Sequence, residues 1–188
     1  MADTLFPLLP ADDAHAAAAQ SDIADVLANV NLFRVVLHNP GVARVLASVI
    51  KELTMGGSLD PRLKELAILR VGWRMGALYE WSNHYPIARR SGVTEDEILA
   101  VRQGHDDARL DPVAQVVLMV VDEILDHHIV SPTTLSAARL AFNDEPALLE
   151  LLVIPGLYRT IATILQTLEV PLEDGREAWP PDGATPVA

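Results

Sequence analysis

The chain has 188 residues, half of them hydrophobic, a formal charge of −12 at pH 7 and no cysteine. That composition suits one globular domain closing its own core. The acidic balance disfavours nucleic acid and anionic membrane surfaces, which call for a basic footprint. The lack of cysteine excludes disulfides, thiolate metal sites and thiol redox catalysis. The opening stretch MADTLFPLLPADDAHAAAAQ has no basic region leading into an apolar run. No unbroken apolar stretch approaches the roughly 20 residues that span a bilayer. A soluble, cytoplasmic protein is expected.

Residues 1–12 carry two prolines and read as an extended arm. From Ala14 to Asn29 the pattern is helical, with Ile23, Val26, Leu27 and Val30 on one face. Leu32 to Leu37 forms a short helix. Asn39–Pro40 is a helix start, an Asx cap followed by proline in the first turn, and Gly56–Gly57 closes that helix. Asp60–Pro61 repeats the signal and opens a helix whose residues Leu63, Leu66 to Leu69, Val71 and Trp73 leave little room for a solvent face. Gly72 and Gly76 weaken its end. A further helix runs from about Ala77 to Arg90, with a kink expected at Pro86, and Gly92 stops it. Thr94 to Glu97 spells a capping box. Asp111–Pro112, Ser131–Pro132 and Asp144 to Pro146 open three more helices, the last interrupted at Pro155–Gly156. Residues 171–188 hold four prolines, two glycines and Trp179 without periodicity. They read as a tail, with Trp179 packing on something, a neighbouring subunit included. No run alternates with period two between hairpin turns. The fold class is all-α, a single-domain helical bundle over 13–170 flanked by the arm 1–12 and the tail 171–188.

Chemistry concentrates between Leu59 and Arg90. Glu80 and His84 lie four apart and share a helix face. A carboxylate one turn from an imidazole can accept its ring proton, fix its tautomer and favour the imidazolium, which suits proton transfer near neutral pH. An i, i+4 pair is also commonly a solvated face, but Tyr79, Trp81 and Tyr85 flank this one. Glu65 sits among apolar neighbours, where a lone acid needs a partner. Either it pairs with Arg62 or Arg70, or it turns towards Glu80 and His84, which requires the chain to break near Gly76. An acid held in an apolar site has its pKa raised and serves as an acid or base. Seven basic residues meet five acids between Arg62 and Arg102, so a small anion would be drawn there. His127–His128 point in different directions and read as a polar helix end. His38 reads as structural, and Tyr158 and Arg159 as pocket-lining without assigned chemistry. No nucleophile elbow, phosphate loop or dinucleotide fingerprint is present; no cofactor and no metal is expected, a divalent ion on two carboxylates and one imidazole being a distant third reading.

The run Arg62 to Val71, then Tyr79-Glu80-Trp81 with His84, Ala88, Gly92-Val93-Thr94 and Glu97-Ile98, resembles the carboxymuconolactone decarboxylase family, which includes the alkylhydroperoxidase D-like proteins. His38-Asn39-Pro40 resembles the start of the preceding helix in that family. The resemblance spans residues 30 to 170 in outline and is specific over 60 to 98. It implies an all-helical, alkylhydroperoxidase D-like fold built into obligate homo-oligomers, whether dimers, trimers or hexamers. In the peroxidase branch two cysteines stand where this chain has Ala77 and Glu80, so peroxide reduction through a cysteine pair is excluded. The decarboxylase branch is similar in placing a glutamate at Glu80 and the histidine at His84.

The expected site is therefore Glu65, Glu80 and His84 as the acid–base set, with Glu80 orienting the imidazole. Arg74, Tyr79, Trp81 and Tyr85 are the expected substrate-binding residues. The expected reaction is decarboxylation, isomerisation or a related proton transfer on a small organic acid or lactone. The alternative is a non-catalytic binding or assembly protein that retains the pocket. Convergence of Glu65, Glu80 and His84 discriminates between the two.

Overall fold

A computed structural model describes residues 6–186. Among these residues all regular structure is helical. Among the described residues contacts group into two compact units. The first comprises residues 6–56 together with Ile164–Gly175. The second comprises Gly57–Thr163 and residues 176–186.

In the first unit α1 (Ala11–Gln20) ends earlier than its pattern implies. The chain turns at Asp22, whose φ is +55°, and a 3-10 turn follows at Asp25–Asn29. Next come α2 (Asn31–Val36), α3 (Pro40–Lys51) and a π turn at Glu52–Gly56. Asn39 caps α3 by accepting from the amides of Gly41 and Val42. Phe33, Ala14, Ala18, Ala28, Leu32 and Val35 are buried. The arm lies along α2, with the Leu9 amide bonded to the Arg34 carbonyl and the Arg34 Nε donating back to the Leu9 carbonyl. His38 meets the Pro7 carbonyl and the edge of Phe6, a structural role. Asn31 ties down residues 171 and 173 through the Pro171 carbonyl and the Glu173 carboxylate.

The second unit is built around α4 (Pro61–Arg74). Asp60 caps it on the amides of Arg62 and Leu63, and every residue from Leu63 to Gly72 is buried. It packs against α5 (Leu78–Arg90), α6 (Glu95–Gln103) and α7 (Pro112–His127), and α8 (Pro132–Phe142) packs on α7. Its arginines are tied to the neighbouring helices. Arg62 joins the capping-box Glu97 of α6 to Asp111, the N-cap of α7. Arg70 grips Asp122 with two hydrogen bonds, and Arg74 pairs with Asp122 and Asp126. Glu123 accepts from Ser131 and Thr134 at the start of α8.

α9 (Glu145–Thr167) runs unbroken through Pro155, as α5 does through Pro86. Each proline removes one donor; α9 is not interrupted at Pro155 as the sequence suggests, and α5 continues past Pro86 to Arg90 as expected. Among the described residues α9 is long and apolar enough, by average composition, to cross a bilayer. It nevertheless buries Leu151, Ile154, Ile161 and Ala162 inside the protein, and Glu150 accepts from the Leu59 amide.

Residues 176–186 fold back on their own chain. Trp179 meets Trp73 edge-on and lies tilted against Trp81, its amide donates to Ser82 Oγ, and the Trp81 indole donates to the Pro180 carbonyl at 2.7 Å. Arg102 lies over Trp73 and Trp81 and holds Asp182. The apolar partner expected for Trp179 is thus intramolecular.

At Thr94 the capping box is complete, the Glu97 amide donating to the hydroxyl and the Glu97 carboxylate receiving the Thr94 amide. Thr94→Ala should cost about 1 kcal/mol of stability, measured by denaturant unfolding; an unchanged midpoint would show that the cap is idle.

Candidate active site

Glu65 projects from the buried stretch of α4, and Glu80 and His84 from α5. The turn at Met75–Ala77, with Gly76 at φ +61°, reverses the chain between them. The helices meet closely because Gly72 has no side chain: a Cβ there would stand 3.3 Å from the Trp81 amide nitrogen and 3.4 Å from Glu80 Cβ. Gly72, read from the sequence as a helix weakener, is a contact point that sets the depth of Glu80.

The three expected acid–base residues converge. His84 Nδ1 lies 2.8 Å from Glu65 Oε2, a hydrogen bond, while His84 Nε2 lies 3.8 Å from Glu80 Oε2. The carboxylate that orients the ring is therefore Glu65, across the helix pair, rather than Glu80, one turn away. The side chains of Glu65 and Glu80 are 3 % and 4 % exposed and that of His84 is 15 %, so solvent meets this trio through the imidazole. Glu80 Oε1 is buried without a hydrogen-bond partner. Tyr158, from α9, stands edge-on to the imidazole, ring centroids 5.1 Å apart and planes at 84°.

Electrostatics follow from this packing. Burial pushes the Glu80 carboxyl up to about 7; the His84 charge pulls it back and the Glu65 charge adds to the rise. Burial lowers His84, but the charge and hydrogen bond of Glu65, followed by the charge of Glu80, outweigh it and leave the imidazole raised. Burial, then the charges of Glu80 and Glu65, hold the Tyr158 phenol well above its ordinary value. Near neutral pH the site holds an imidazole whose charged form is favoured, a Glu80 carboxyl close to its midpoint and a neutral phenol.

The expected substrate-binding residues are placed differently. Arg74 is committed to Asp122 and Asp126. Trp81 is fully buried under Trp179 and Pro180. Tyr79 is buried on α5, and Tyr85 feels the charges of Glu95, Arg89, Glu177 and Arg102. Arg74, Trp81 and Tyr85 make no hydrogen bond or ring contact to the Glu65–His84 pair among the described residues. Tyr158 does reach His84; its signal in the sequence was a lone phenol on an apolar helix. Among the described residues no group of three or more histidine or acidic side chains is arranged to hold a metal ion. A cavity of about 590 Å³ opens in the first unit beside Ile23, Leu27, Ala47, Ile50 and Met55. It brings no histidine, so the acid–base chemistry belongs to the cluster on α4 and α5.

The class these features define is an all-α protein of the alkylhydroperoxidase D-like fold. The chain is similar to the alkylhydroperoxidase AhpD core of an uncharacterized peroxidase-related protein from Ralstonia eutropha JMP134, at 17% identity, TM-score 0.73, over 90% of this chain and 92% of that one. It is also similar to the debrominase Bmp8, solved as an alanine variant with 2,3,4-tribromopyrrole, at 15% identity, TM-score 0.72, over 92% and 94% of the two chains. At such identities the likeness establishes the fold. No curated protein matches the chain. Residues 40–123 match the family described as the carboxymuconolactone decarboxylase family. The resemblance carried by residues 60–98 thus holds over a longer segment, which contains Glu65, Glu80 and His84.

The raised groups fix the sign of a pH dependence. A site that binds protons more tightly when folded gives stability at low pH and loses it as pH rises through the folded value. For Glu80 that window runs from 4.5 to about 7, and for His84 it lies above 6.5. Glu97 and Asp111, held low against burial by Arg62 and the amides they cap, act oppositely and withdraw stability only in acid. Between about pH 5 and 8 the Glu80 share amounts to about 3 kcal/mol. Thermal melts of the wild type should therefore fall over that range, and Glu80→Gln should flatten the fall; equal slopes in both proteins would disprove the burial of an ionising Glu80.

Proposed function

We propose that this protein is an acid–base enzyme of the carboxymuconolactone decarboxylase type, acting on a small organic acid or lactone. The observation that carries the reading is the grip of Glu65 on His84 Nδ1 at 2.8 Å, which leaves Nε2 directed towards Glu80 in a buried cluster. An imidazole held at one nitrogen by a carboxylate presents the other for proton transfer, and its charged form is favoured. The segment that supplies all three residues is the one that matches the family.

In the proposed decarboxylation the carbon–carboxylate bond of a lactone acid breaks and carbon dioxide leaves. The electron pair passes into the conjugated lactone as an extended enolate. His84 Nε2–H then protonates carbon, and the Glu80 carboxyl, poised near neutrality, returns a proton to the ring. One proton is consumed per carbon dioxide released, and Glu65 keeps its hydrogen bond to Nδ1 throughout. Isomerisation uses the same set with removal and return of a carbon-bound proton. Arg74 and Trp81 are left out of this scheme because their side chains are engaged elsewhere.

The test is turnover of 4-carboxymuconolactone in deuterated buffer, following carbon dioxide release and the label in the product. One solvent deuteron should appear on carbon. His84→Gln should lower kcat by about 10²–10⁴-fold in protein that circular dichroism shows folded at the assay temperature, its melting temperature lowered by the loss of the partner of Glu65. Turnover in that variant within tenfold of the wild type would refute the assignment.

A further inference from the structure

Polar groups enclosed in a protein almost always find partners, and those that do not mark a place where something else binds. In this cluster Glu65 and His84 Nδ1 satisfy one another. Glu80 Oε1 is enclosed and unpaired, and His84 Nε2 is too far from Glu80 for a hydrogen bond at 3.8 Å. Tyr158 is only 6 % exposed and its ring packs edge-on against His84. An enclosed, unpaired carboxylate oxygen on α5 and a buried phenol from α9 thus lie about one imidazole.

We infer that Tyr158 is a further catalytic residue, its hydroxyl donating a hydrogen bond to the oxygen of an enolisable carbonyl substrate as His84 moves the proton on carbon. The inference rests on the acid–base reading of the site and adds the substrate class. A carbon acid beside His84 places developing negative charge on the conjugated oxygen rather than on carbon, and a fixed donor at that oxygen lowers the barrier. The phenol suits this task because burial and the charges of Glu80 and Glu65 keep it neutral, a donor across the working range. It keeps its own proton throughout. The unpaired Glu80 oxygen gives a second polar anchor, so the favoured ligand is planar, with an oxygen facing Tyr158 and a carboxylic or hydroxyl group facing Glu80.

Tyr158→Phe tests this cleanly, since phenylalanine keeps the edge-on ring contact and removes only the oxygen. With 4-carboxymuconolactone, kcat should fall about 10²-fold or more while the melting temperature stays put. Equilibrium binding of 4-nitrophenol, a planar oxyanion read by its absorbance, gives a measure independent of turnover and should weaken at least about tenfold in the same variant, by the loss of one such donor. Site-specific 3-fluorotyrosine at 158, a stronger donor of nearly the same shape, should tighten the probe, and it serves as the variant if phenylalanine fails to fold. Equal kcat and equal probe affinity in wild type and Tyr158→Phe, or a wild type that does not bind the probe, would overturn the role. Probe binding that depends on the hydroxyl in a protein inert towards the lactone would uphold the oxyanion donor and refute the decarboxylase reading alone.

Discussion

A carboxylate enclosed in an apolar helix must be compensated where it stands, and here one hydrogen bond does it: Glu65 to His84. Every other feature of the site depends on that bond. It fixes the tautomer and tilt of the imidazole, charges it in spite of burial, and leaves its second nitrogen directed at Glu80. Separating a buried pair of this kind costs several kcal/mol, roughly 3–5, because one charge is then left alone. The chemistry of the site and the cohesion of α4 with α5 are thus the same interaction.

Glu65 is available to His84 because the cations of its own helix are spoken for. Arg62 binds the caps of α6 and α7, and Arg70 and Arg74 bind the acids of α7. These pairs fasten α4 to α6 and α7. Gly72 then lets the first turn of α5 come near enough for Glu80 to enter the same enclosure. The surplus of basic residues between Arg62 and Arg102 is largely consumed in this scaffolding, and a substrate anion must find its partners in the cluster itself.

How much of this could be read in advance depended on the range of the interactions. Helix starts are local chemistry, and Asn39, Asp60, Thr94, Asp111 and Ser131 each cap the helix that their spelling indicates. The buried acid and the Glu80–His84 spacing likewise pointed to one cluster. Which carboxylate holds the ring was not legible, because it depends on how closely two helices approach at Gly72. Proline overstated the break at Pro155, where one missing donor is tolerated by a long, well-packed helix. The turn at Asp22 was missed because apolar residues beyond it continue a helical rhythm that the backbone abandons. Tyr158 arrives from a distant helix, and nothing in its own neighbours announces what it faces.

The three tryptophans, the chain's entire complement, lie in mutual ring contact, with centroids 5.1 to 6.3 Å apart and the Arg102 guanidinium laid over two of them. Their ultraviolet emission accordingly has a single origin. It is a built-in optical gauge of whether residues 176–186 are seated on the helix that bears Glu80 and His84. Lifting that segment would bare the indoles to water and shift the emission to the red, so the state of the terminus can be followed without any attached dye.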